Sequence, residues 1–455
     1  MHLRSFLALL LCGMASGLPA AEWHVGEGQQ HASLNSAVAA AAAGDTIFVH
    51  GGRHAEGNLR VTKPLHLIGQ DWPVLDGGGG SEVLTLAASG ASVRGFVLTN
   101  TGRSSIADRA GVRIDSASGV TIENNRFTDC HFAVFLARSR DCQVLRNRIE
   151  SIRGLEQNSG NGIHLWNCEG IHVQDNAITG HRDGIYLEFA SRSTVEGNNV
   201  VGNLRYGLHF MYSHDSSYHR NRFSNNGAGV AVMYSHRVDM RDNRFDFNWG
   251  AAAYGLLLKD ISDSTITGNT FDHNSTAVYA QSAVRMTFEG NRFLHNGWAL
   301  RILGSSEENS FRGNDFSANS FDIGTNGRLA GHLFSNNYWD RCEGYDLNRD
   351  GVSDIPFQPV NLYAVLVEKV PPSVLLLRSF MVQLLDRAEK AFPSITPEGV
   401  TDGTPAMHPH FAGAEKAVPA SPDMAPKKQA GVTKTASLLY LFLLAAAAAV
   451  ATRLR

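Results

Sequence analysis

The fold is decided by a phrase that returns along the middle of the chain: Gly207-Leu-His-Phe-Met-Tyr-Ser-His214 is followed, one repeat later, by Gly229-Val-Ala-Val-Met-Tyr-Ser-His236. Apolar residues alternate with others in these phrases, which is the two-residue period of a β-strand. Related phrases start at Gly111, Ala133, Gly162, Gly184, Gly207, Gly229, Gly255, Ala277 and Ala299, at steps of 22, 29, 22, 23, 22, 26, 22 and 22 residues. A nearly constant step of this size indicates a stack of one structural unit.

Asparagine marks the second half of each repeat, in phrases such as Asn-x-Phe and Asn-x-Ile. These asparagines are Asn125, Asn147, Asn176, Asn198, Asn221, Asn243, Asn269, Asn291, Asn314 and Asn336. A second column follows five residues after most of them, at Asn203, Asn226, Asn248, Asn274, Asn296 and Asn319, with His181 in register. Asparagine amides stacked at a corner hydrogen-bond along the stack and satisfy the backbone of the turn.

A repeat of about 22 residues suits three short strands and three corners. The sequence therefore predicts an all-β fold, a right-handed parallel β-helix, over residues 22–360. Its interior apolar column is expected to be Phe127, Ile149, Ile178, Val200, Phe223, Phe245, Phe271, Phe293 and Phe316. The alanine-rich stretch 34–43, with Ser33 as N-cap, predicts a helical cap over the open end of the stack.

Four further segments flank this domain. Residues 1–21 have the pattern of a secretory signal, because Arg4 precedes an apolar run that ends in small residues. We interpret 361–392 as an amphipathic helical segment and 393–435 as a flexible linker rich in Pro, Ala and Gly. Residues 436–452 are uncharged and apolar, at the short limit of a membrane-spanning helix. This pattern predicts an exported, periplasmic chain with a membrane anchor, or with a tail that a sorting peptidase removes.

The net charge and the cysteine content bear on which classes of function are compatible with the chain. A net charge of −3 argues against a dedicated nucleic-acid surface. Four cysteines remain after removal of the signal, at positions 130, 142, 168 and 342, and none of them forms a Cys-x-x-Cys pair. Cys142 is in register with apolar residues and is expected to be buried, while the spacing does not determine any disulfide pairing.

The outward residues of the first strands form a strip of aromatic, histidine and methionine side chains in the middle repeats. Stacking is expected to bring together His209, Met211, His214, Met233 and His236. Thioether and imidazole donors suit copper(I), so this set predicts a transient copper site. The alternative is a docking face for a partner protein, lined by Tyr212, Tyr234 and the two methionines, with the histidines stacked at a corner. Trp166 and Tyr186 are the further partner contacts that we predict. A third hypothesis takes Glu188, Lys259 and Asp260 as the acid/base set of a polysaccharide lyase or hydrolase.

A calcium-loop pattern lies at the end of the repeats. Its oxygen-bearing residues are Asp346, Asn348, Asp350 and Asp354, and Gly351 supplies the sharp turn. The twelfth position is Phe357, where a bidentate glutamate is expected. The pattern predicts a calcium site, and an Asx-rich turn that closes the last coil is the alternative.

The segment from Leu362 to Phe392 is helical in pattern and apolar on one side, with a break at Pro371-Pro372. One interpretation is a helix that packs back onto the repeats. The other is an amphipathic helix that docks to a membrane protein, with Leu366, Leu377, Phe380 and Leu384 as contacts.

Several of these phrases also carry a resemblance to a known family. They are Gly207 to Asp215, the second Val232-Met-Tyr-Ser-His236, Tyr254-Gly-Leu-Leu-Leu-Lys-Asp260, Asn337-Tyr-Trp339 with Asp350-Gly351, and Leu375-Leu-Leu-Arg-Ser379. Together they resemble the NosD family, the periplasmic maturation proteins of nitrous oxide reductase. The resemblance runs from the signal to about residue 410.

The resemblance implies a non-enzymatic assembly factor for the copper sites of nitrous oxide reductase, its client. It also implies work with an ABC transporter permease in the inner membrane, through the segment 361–392, and with a copper chaperone. A carbohydrate-active β-helix enzyme and a purely structural surface scaffold remain the competing hypotheses.

Overall fold

The computed structural model describes residues 20–411 except 105–107, 152–153, 328, 330, 378 and 393–398. Most of the predicted signal, residues 1–19, and the predicted apolar segment 436–452 lie outside the described residues. The repeats are built from three parallel sheets. Each complete coil contributes one strand to each sheet, and the sheets have 14, 12 and 13 strands because the terminal coils are incomplete. This arrangement confirms the parallel β-helix.

Sheet 1 carries the outward strip. Its strands are Leu59–Val61, Leu84–Leu86, Ala110–Asp115, Phe132–Ala137, Ile163–Trp166, Asp183–Glu188, Tyr206–Met211, Ala228–His236, Tyr254–Ser262, Thr276–Val284, Trp298–Ile302 and Phe321–Gly324. Sheet 2 follows it in each coil, with strands Glu22–Val25, Thr46–Val49, His66–Gly69, Ser92–Arg94, Thr121–Glu123, Gln143–Leu145, His172–Gln174, Thr194–Glu196, Ser216–His219, Val238–Arg241, Thr265–Thr267, Thr287–Glu289, Ser310–Arg312 and Leu333–Ser335.

Sheet 3 completes each coil. Its strands are Arg53–His54, Val74–Asp76, Val97–Thr99, Arg126–Thr128, Arg148–Glu150, Ala177–Thr179, Asn199–Val201, Arg222–Ser224, Arg244–Asp246, Thr270–Asp272, Arg292–Leu294, Asp315–Ser317 and Tyr338–Trp339. Between the strands Ser92–Arg94 of sheet 2 and Val97–Thr99 of sheet 3, the chain turns a corner at Gly95, which has φ of +81°. A left-handed φ of this kind favours glycine.

The core is an uninterrupted stack of apolar side chains. All nine residues of the predicted interior column are buried. Its phenylalanine rings stack from coil to coil, with centroids 5.1 Å apart for Phe271 and Phe293 and 4.7 Å apart for Phe293 and Phe316. Cys142 is fully buried, as predicted, and the four described cysteines are free thiols.

Two asparagine ladders hold the corners. In the first, each Nδ2 donates to the Oδ1 of the next coil, for example from Asn221 to Asn243 at 3.0 Å. The second runs from Asn203 to Asn319, and the backbone N–H of His181 donates to the Oδ1 of Asn203. The first ladder ends on the buried Asn337, and not on Asn336 as the spacing predicted. Asn336 has φ of +52° and occupies the turn position before the ladder.

The predicted N-terminal cap is present. Helix α1, Leu34–Ala40, begins at Ser33, whose Oγ accepts a hydrogen bond from the backbone N–H of Ser36 at 3.2 Å. Leu34, Ala37 and Val38 are buried against the first coils. Between coils, a short 3-10 helix lies at Glu156–Asn158.

The C-terminal segment is helical, with its break at the two prolines. Helix α2, Leu362–Lys369, is followed by a 3-10 helix at Pro371–Leu376 and by helix α3, Phe380–Ala391. Glu368 in α2 accepts two hydrogen bonds from Nη2 of Arg301, at 2.7 and 2.8 Å, and this ion pair fixes α2 to sheet 1. Among the described residues no helix has the length and apolarity needed to cross a membrane.

The linker prediction for 393–435 is wrong for its described residues up to 410. Asp402 forms bridges with Phe334 and Phe357, and Ala406 forms bridges with Tyr338 and Val352. The Oδ2 atom of Asp402 accepts hydrogen bonds from Nδ2 of Asn337 at 2.9 Å and from Nε1 of Trp339 at 3.1 Å. This part of the chain therefore ends the first asparagine ladder, whose last amide needs an acceptor.

Candidate functional site

Met211 and Met233 lie side by side on the outer face of sheet 1. They are register partners in neighbouring strands, and both side chains are half-buried. Neighbouring strands lie roughly 4.8 Å apart, so the two thioethers are adjacent. The glycine at the start of each strand permits this close stacking, because a Cβ at Gly207 would lie 2.6 Å from the carbonyl oxygen of Gly229.

His214 and His236 stack at the next corner. Their ring centroids are 3.8 Å apart, with 20° between the ring planes. Burial lowers the pKa of His214, and the neighbouring His236 ring lowers it further. The neutral imidazole, which is the form that binds metals, is thus favoured at His214. Its Nδ1 atom is buried without a hydrogen-bond partner.

A kink separates the two pairs. Tyr212 and Tyr234 have φ of +49° and +51°, and their rings stack with centroids 5.0 Å apart. The serines that follow point inward: the backbone N–H of Ser213 donates to Oγ of Ser235 at 3.1 Å. The structure therefore brings together the methionines as one pair and the histidines as another, on either side of one corner.

His209 faces the same way as Met211 but is almost fully buried. Its Nδ1 lies 3.4 Å from Oδ2 of Asp183, and its ring stacks on Tyr186 with centroids 4.5 Å apart. Burial lowers the pKa of His209, and Asp183 opposes that effect. The Nε2 atom of His209 is buried without a hydrogen-bond partner. This unpaired nitrogen is the part of His209 that remains for a ligand.

Asp183, which sequence reasoning missed, fixes this region. Burial raises the pKa of its carboxyl, but hydrogen bonds from Arg205 and His209 outweigh burial and bring the pKa to about 2. Nε of Arg205 donates to Oδ1 of Asp183 at 2.9 Å. The signal was available in the sequence, since Asp183 stands immediately before the repeat glycine Gly184. A permanently charged carboxylate here orients the His209 ring.

The two predicted partner contacts on this strip differ in exposure. Tyr186 is 8% exposed, with its ring between His164 and His209, whereas Trp166 is half-buried. Nε2 of His164 lies 3.4 Å from Oε2 of Glu188, and the interaction with His164 lowers the pKa of Glu188. Trp166 is therefore the more accessible of the two predicted contacts.

The acid/base set does not converge. Glu188 is the register partner of Met211, and Lys259 is the register partner of Met233. Glu188 and Lys259 are therefore three strand spacings apart, roughly 14 Å. Asp260 is exposed, with φ of +50°, at the next corner. Since a general acid and base act within hydrogen-bond reach of one bond, this geometry does not support the hydrolase hypothesis.

In the calcium-like loop, carboxylate oxygens accept hydrogen bonds from backbone N–H groups. Oδ2 of Asp346 accepts from the N–H of Gly351 at 2.8 Å, and Oδ1 of Asp350 accepts from the N–H of Val352 at 2.8 Å. Oδ2 of Asp354 accepts from the N–H of Leu347 at 2.7 Å. These bonds form an Asx-rich turn at the end of the last coil. Because a carboxylate has about four acceptor positions, the calcium site stays a prediction. Asn348, the remaining predicted ligand, donates from Nδ2 to Asp350 at 2.9 Å.

The helical segment shows one packed side and one exposed side. Tyr363, Ala364 and Val367 are buried in a cluster with Phe321. Three of the four predicted partner contacts are exposed: Leu366 at 38%, Phe380 at 75% and Leu384 at 49%. The fourth, Leu377, packs partly buried against the same cluster.

A further group of ligating side chains was also missed. Asp272, His273 and His295 are, in the part of the chain that the structure describes, the one set of three His, Cys, Asp or Glu residues whose ligand atoms all lie within 4.8 Å of one another. The 22-residue step from His273 to His295, which equals the repeat, was the signal in the sequence.

Comparison with known proteins decides the family. A family model described as "Periplasmic copper-binding protein (NosD)" matches residues 145–350. A relative from Pseudomonas aeruginosa, named "Probable ABC transporter binding protein NosD", is 31% identical over 382 residues, which cover 78% of this chain and 86% of the relative. The chain belongs to the NosD family. A NosD of the same name from Stutzerimonas stutzeri is 29% identical over 380 residues, 77% of this chain and 84% of the relative.

Solved structures share the fold of this NosD-family chain. The catalytic unit of a thermostable α-1,3-glucanase from Streptomyces thermodiastaticus has a TM-score of 0.53 at 15% identity, over 68% of this chain and 62% of that chain. The Dettilon tailspike protein has a TM-score of 0.50 at 15% identity, over 60% of each chain. At such low identity the likeness concerns the fold alone.

Proposed function

We propose that this chain is a periplasmic, non-enzymatic accessory protein that assembles the copper centres of nitrous oxide reductase. It acts with an ABC transporter permease of the inner membrane and with a copper chaperone, and the reductase is its client. Membership of the NosD family supports this proposal, since the family model is described as copper-binding and the relatives are named as ABC transporter binding proteins. The observation that carries it is the doubled pair of donors, Met211 with Met233 and His214 with His236.

Copper is cargo in this proposal. Two thioethers and two imidazoles are soft and borderline donors, which favour copper(I) over zinc or calcium. All four side chains are half-buried, so an incoming chaperone can reach them while part of each is shielded from water. His209, two residues before Met211 in the same strand, has an unpaired Nε2 and is a further candidate donor. Such a site suits transfer by ligand exchange, because the ion is held by few donors and stays accessible.

Deleting the gene in a host that makes nitrous oxide reductase is expected to leave the reductase polypeptide in place with little copper. The measurement is copper per reductase, by elemental analysis of the purified client. Complementation with the intact chain is expected to restore the copper, and so is complementation with an Asp260→Asn chain, because the proposal gives that carboxylate no chemistry. Full copper loading in the deletion strain, or activity of the purified chain on polyuronates, would overturn the assignment.

The exposed side of the helical segment is proposed as the transporter dock. The segment holds many of the exposed large apolar side chains: Leu366, Val370, Val374, Leu375, Leu376, Phe380, Met381, Leu384 and Phe392. A concentration of exposed apolar side chains in one segment is typical of an interaction site. The Arg301–Glu368 ion pair holds α2, and Glu389 of α3 accepts from the N–H of Leu362 at 3.1 Å, so the surface is presented on a fixed base.

Phe380→Ser with Leu384→Ser is expected to abolish binding to the detergent-solubilised transporter. Both side chains are exposed, so the fold should be retained. Loss of each apolar contact at the centre of an interface costs about 2 kcal/mol, or roughly thirtyfold in affinity. Trp249→Ser is the matched control, since Trp249 is 66% exposed in a different coil. Unchanged affinity of the double variant, measured by biolayer interferometry, would place the dock elsewhere.

A further inference from the structure

We propose that Asp272, His273 and His295 form a binding site for a divalent transition-metal ion, Zn²⁺ or Cu²⁺, at the corner that follows sheet 3. It is distinct from the Met/His pairs, which lie at the corner that follows sheet 1. This inference does not depend on the proposed function.

One carboxylate oxygen connects the two histidines. Oδ1 of Asp272 lies 2.6 Å from Nδ1 of His273 and 3.1 Å from Nδ1 of His295. The two rings stack with centroids 4.7 Å apart. In a tetrahedral site with bonds of about 2.0–2.1 Å, ligand atoms lie roughly 3.3 Å apart. To admit an ion, the Asp272–His273 distance has to open by about 0.7 Å and the Asp272–His295 distance by about 0.2 Å.

The backbone of this corner does not require histidine. His273 and His295 have φ of +56° and +55°, and Asn225, with φ of +52°, stands at the same position two coils before His273. Gly202, one coil earlier still, has φ of +70°. Glycine and asparagine are the residues that this conformation favours. Phe247, with φ of +56°, holds the same position one coil before His273, so this corner admits side chains of different sizes and does not itself select histidine.

Neighbouring side chains orient the carboxylate and one of the imidazoles of the proposed site. Nη2 of Arg244 donates to Oδ2 of Asp272 at 3.0 Å, which leaves Oδ1 directed at the histidines. The Phe247 ring stacks on His273 with centroids 5.1 Å apart. Partners that orient a ligating carboxylate or imidazole strengthen metal sites in general. The side chains of His273 and His295 are 47% and 50% exposed, so an ion reaches them from solvent.

The chemical type of the three ligand atoms determines which metal ions the proposed site favours. Two imidazoles and a carboxylate suit Zn²⁺ and Cu²⁺, and Cu²⁺ binds more tightly at a given set of such ligands. No thioether stands at these three positions, so the site differs in chemistry from the Met/His pairs. Solvent supplies the remaining ligand position.

The test is titration of the tag-free full chain with Zn²⁺ alone, by isothermal calorimetry. We expect one equivalent to bind, with each of His273→Asn and His295→Asn weakening binding by more than about tenfold, and with the double variant losing that equivalent. Asparagine is chosen because Asn225 shows that it fits this corner. Circular dichroism of the double variant is expected to match that of the unaltered chain.

The matched control is His214→Asn with His236→Asn, the other stacked histidine pair, which is expected to keep the equivalent. Electron paramagnetic resonance of the Cu²⁺-loaded chain gives a second measure: coupling to two imidazole nitrogens should fall to one in each single variant. Binding by the double variant equal to that of the unaltered chain would overturn the site. An equal loss in the control, or an unchanged nitrogen coupling in the single variants, would do the same.

Discussion

Copper(I) binding is expected to disappear when Met211, His214, Met233 and His236 are replaced together by Leu, Gln, Leu and Gln. These substitutions keep the approximate volume of each side chain while removing the thioethers and imidazoles. Removing one outer partner of a metal ligand already costs about 10–100-fold in affinity, so losing four donors should cost more than about a hundredfold. The measurement is a competition titration of the full chain against a chromogenic copper(I) chelator under reducing conditions.

Two partial variants locate the ion. Because a kink at Tyr212 and Tyr234 separates the pairs, replacing only the methionines and replacing only the histidines tests each pair alone. A single site that spans the corner predicts a loss in both. The His273→Asn, His295→Asn chain should keep its copper(I), since that corner offers no thioether. Equal copper(I) binding by the quadruple variant would assign the strip to partner docking instead.

The fold could be predicted from the sequence because the same repeat step appears in the strand phrases, in the asparagine columns and in the interior apolar column. Alternation determines which residues enter the core, and the repeat step determines their neighbours, so the stacking of Phe271 on Phe293 follows from the sequence alone. The prediction of the first asparagine ladder was wrong only at its last position, where Asn337 and not Asn336 is buried. Two adjacent asparagines both fit the step there, and only the position of the corner decides between them.

For the candidate site, the sequence predicts which residues pair, but it does not predict how deeply each side chain is buried. Register alone places Met211 beside Met233 and His214 beside His236. The burial of Tyr186 and His209 depends on what lies around the outer face of sheet 1, and a strand pattern does not encode that. The role of Asp402 was hidden for a similar reason. It caps the first ladder across more than sixty residues of sequence, 65 from Asn337, within a stretch whose composition is typical of a linker.

Asn198→Ala is expected to lower the free energy of unfolding by roughly 2–6 kcal/mol. Five groups lose a hydrogen bond, and about 1–3 kcal/mol is assigned to each of two of them, the N–H of Asn176 and the carbonyl oxygen of Val173. Oδ1 of Asn198 accepts from the backbone N–H of Asn176 at 2.9 Å, and Nδ2 of Asn198 donates to the carbonyl oxygen of Val173 at 2.9 Å. Asn198 is 1% exposed, so water does not replace these bonds. Chemical denaturation followed by circular dichroism measures the change.

Asn199→Ala is the matched control, because the neighbouring Asn199 is exposed on the outer side of its strand. It is expected to change the free energy of unfolding by less than about 0.5 kcal/mol. The contrast between adjacent positions separates the ladder from the intrinsic preference of asparagine for turns. If both variants unfold alike, the buried amides do not stabilise the corner, and the apolar column alone must hold the coils in register. If only Asn198→Ala is destabilised, the buried amide ladder stabilises the coil that carries Met211.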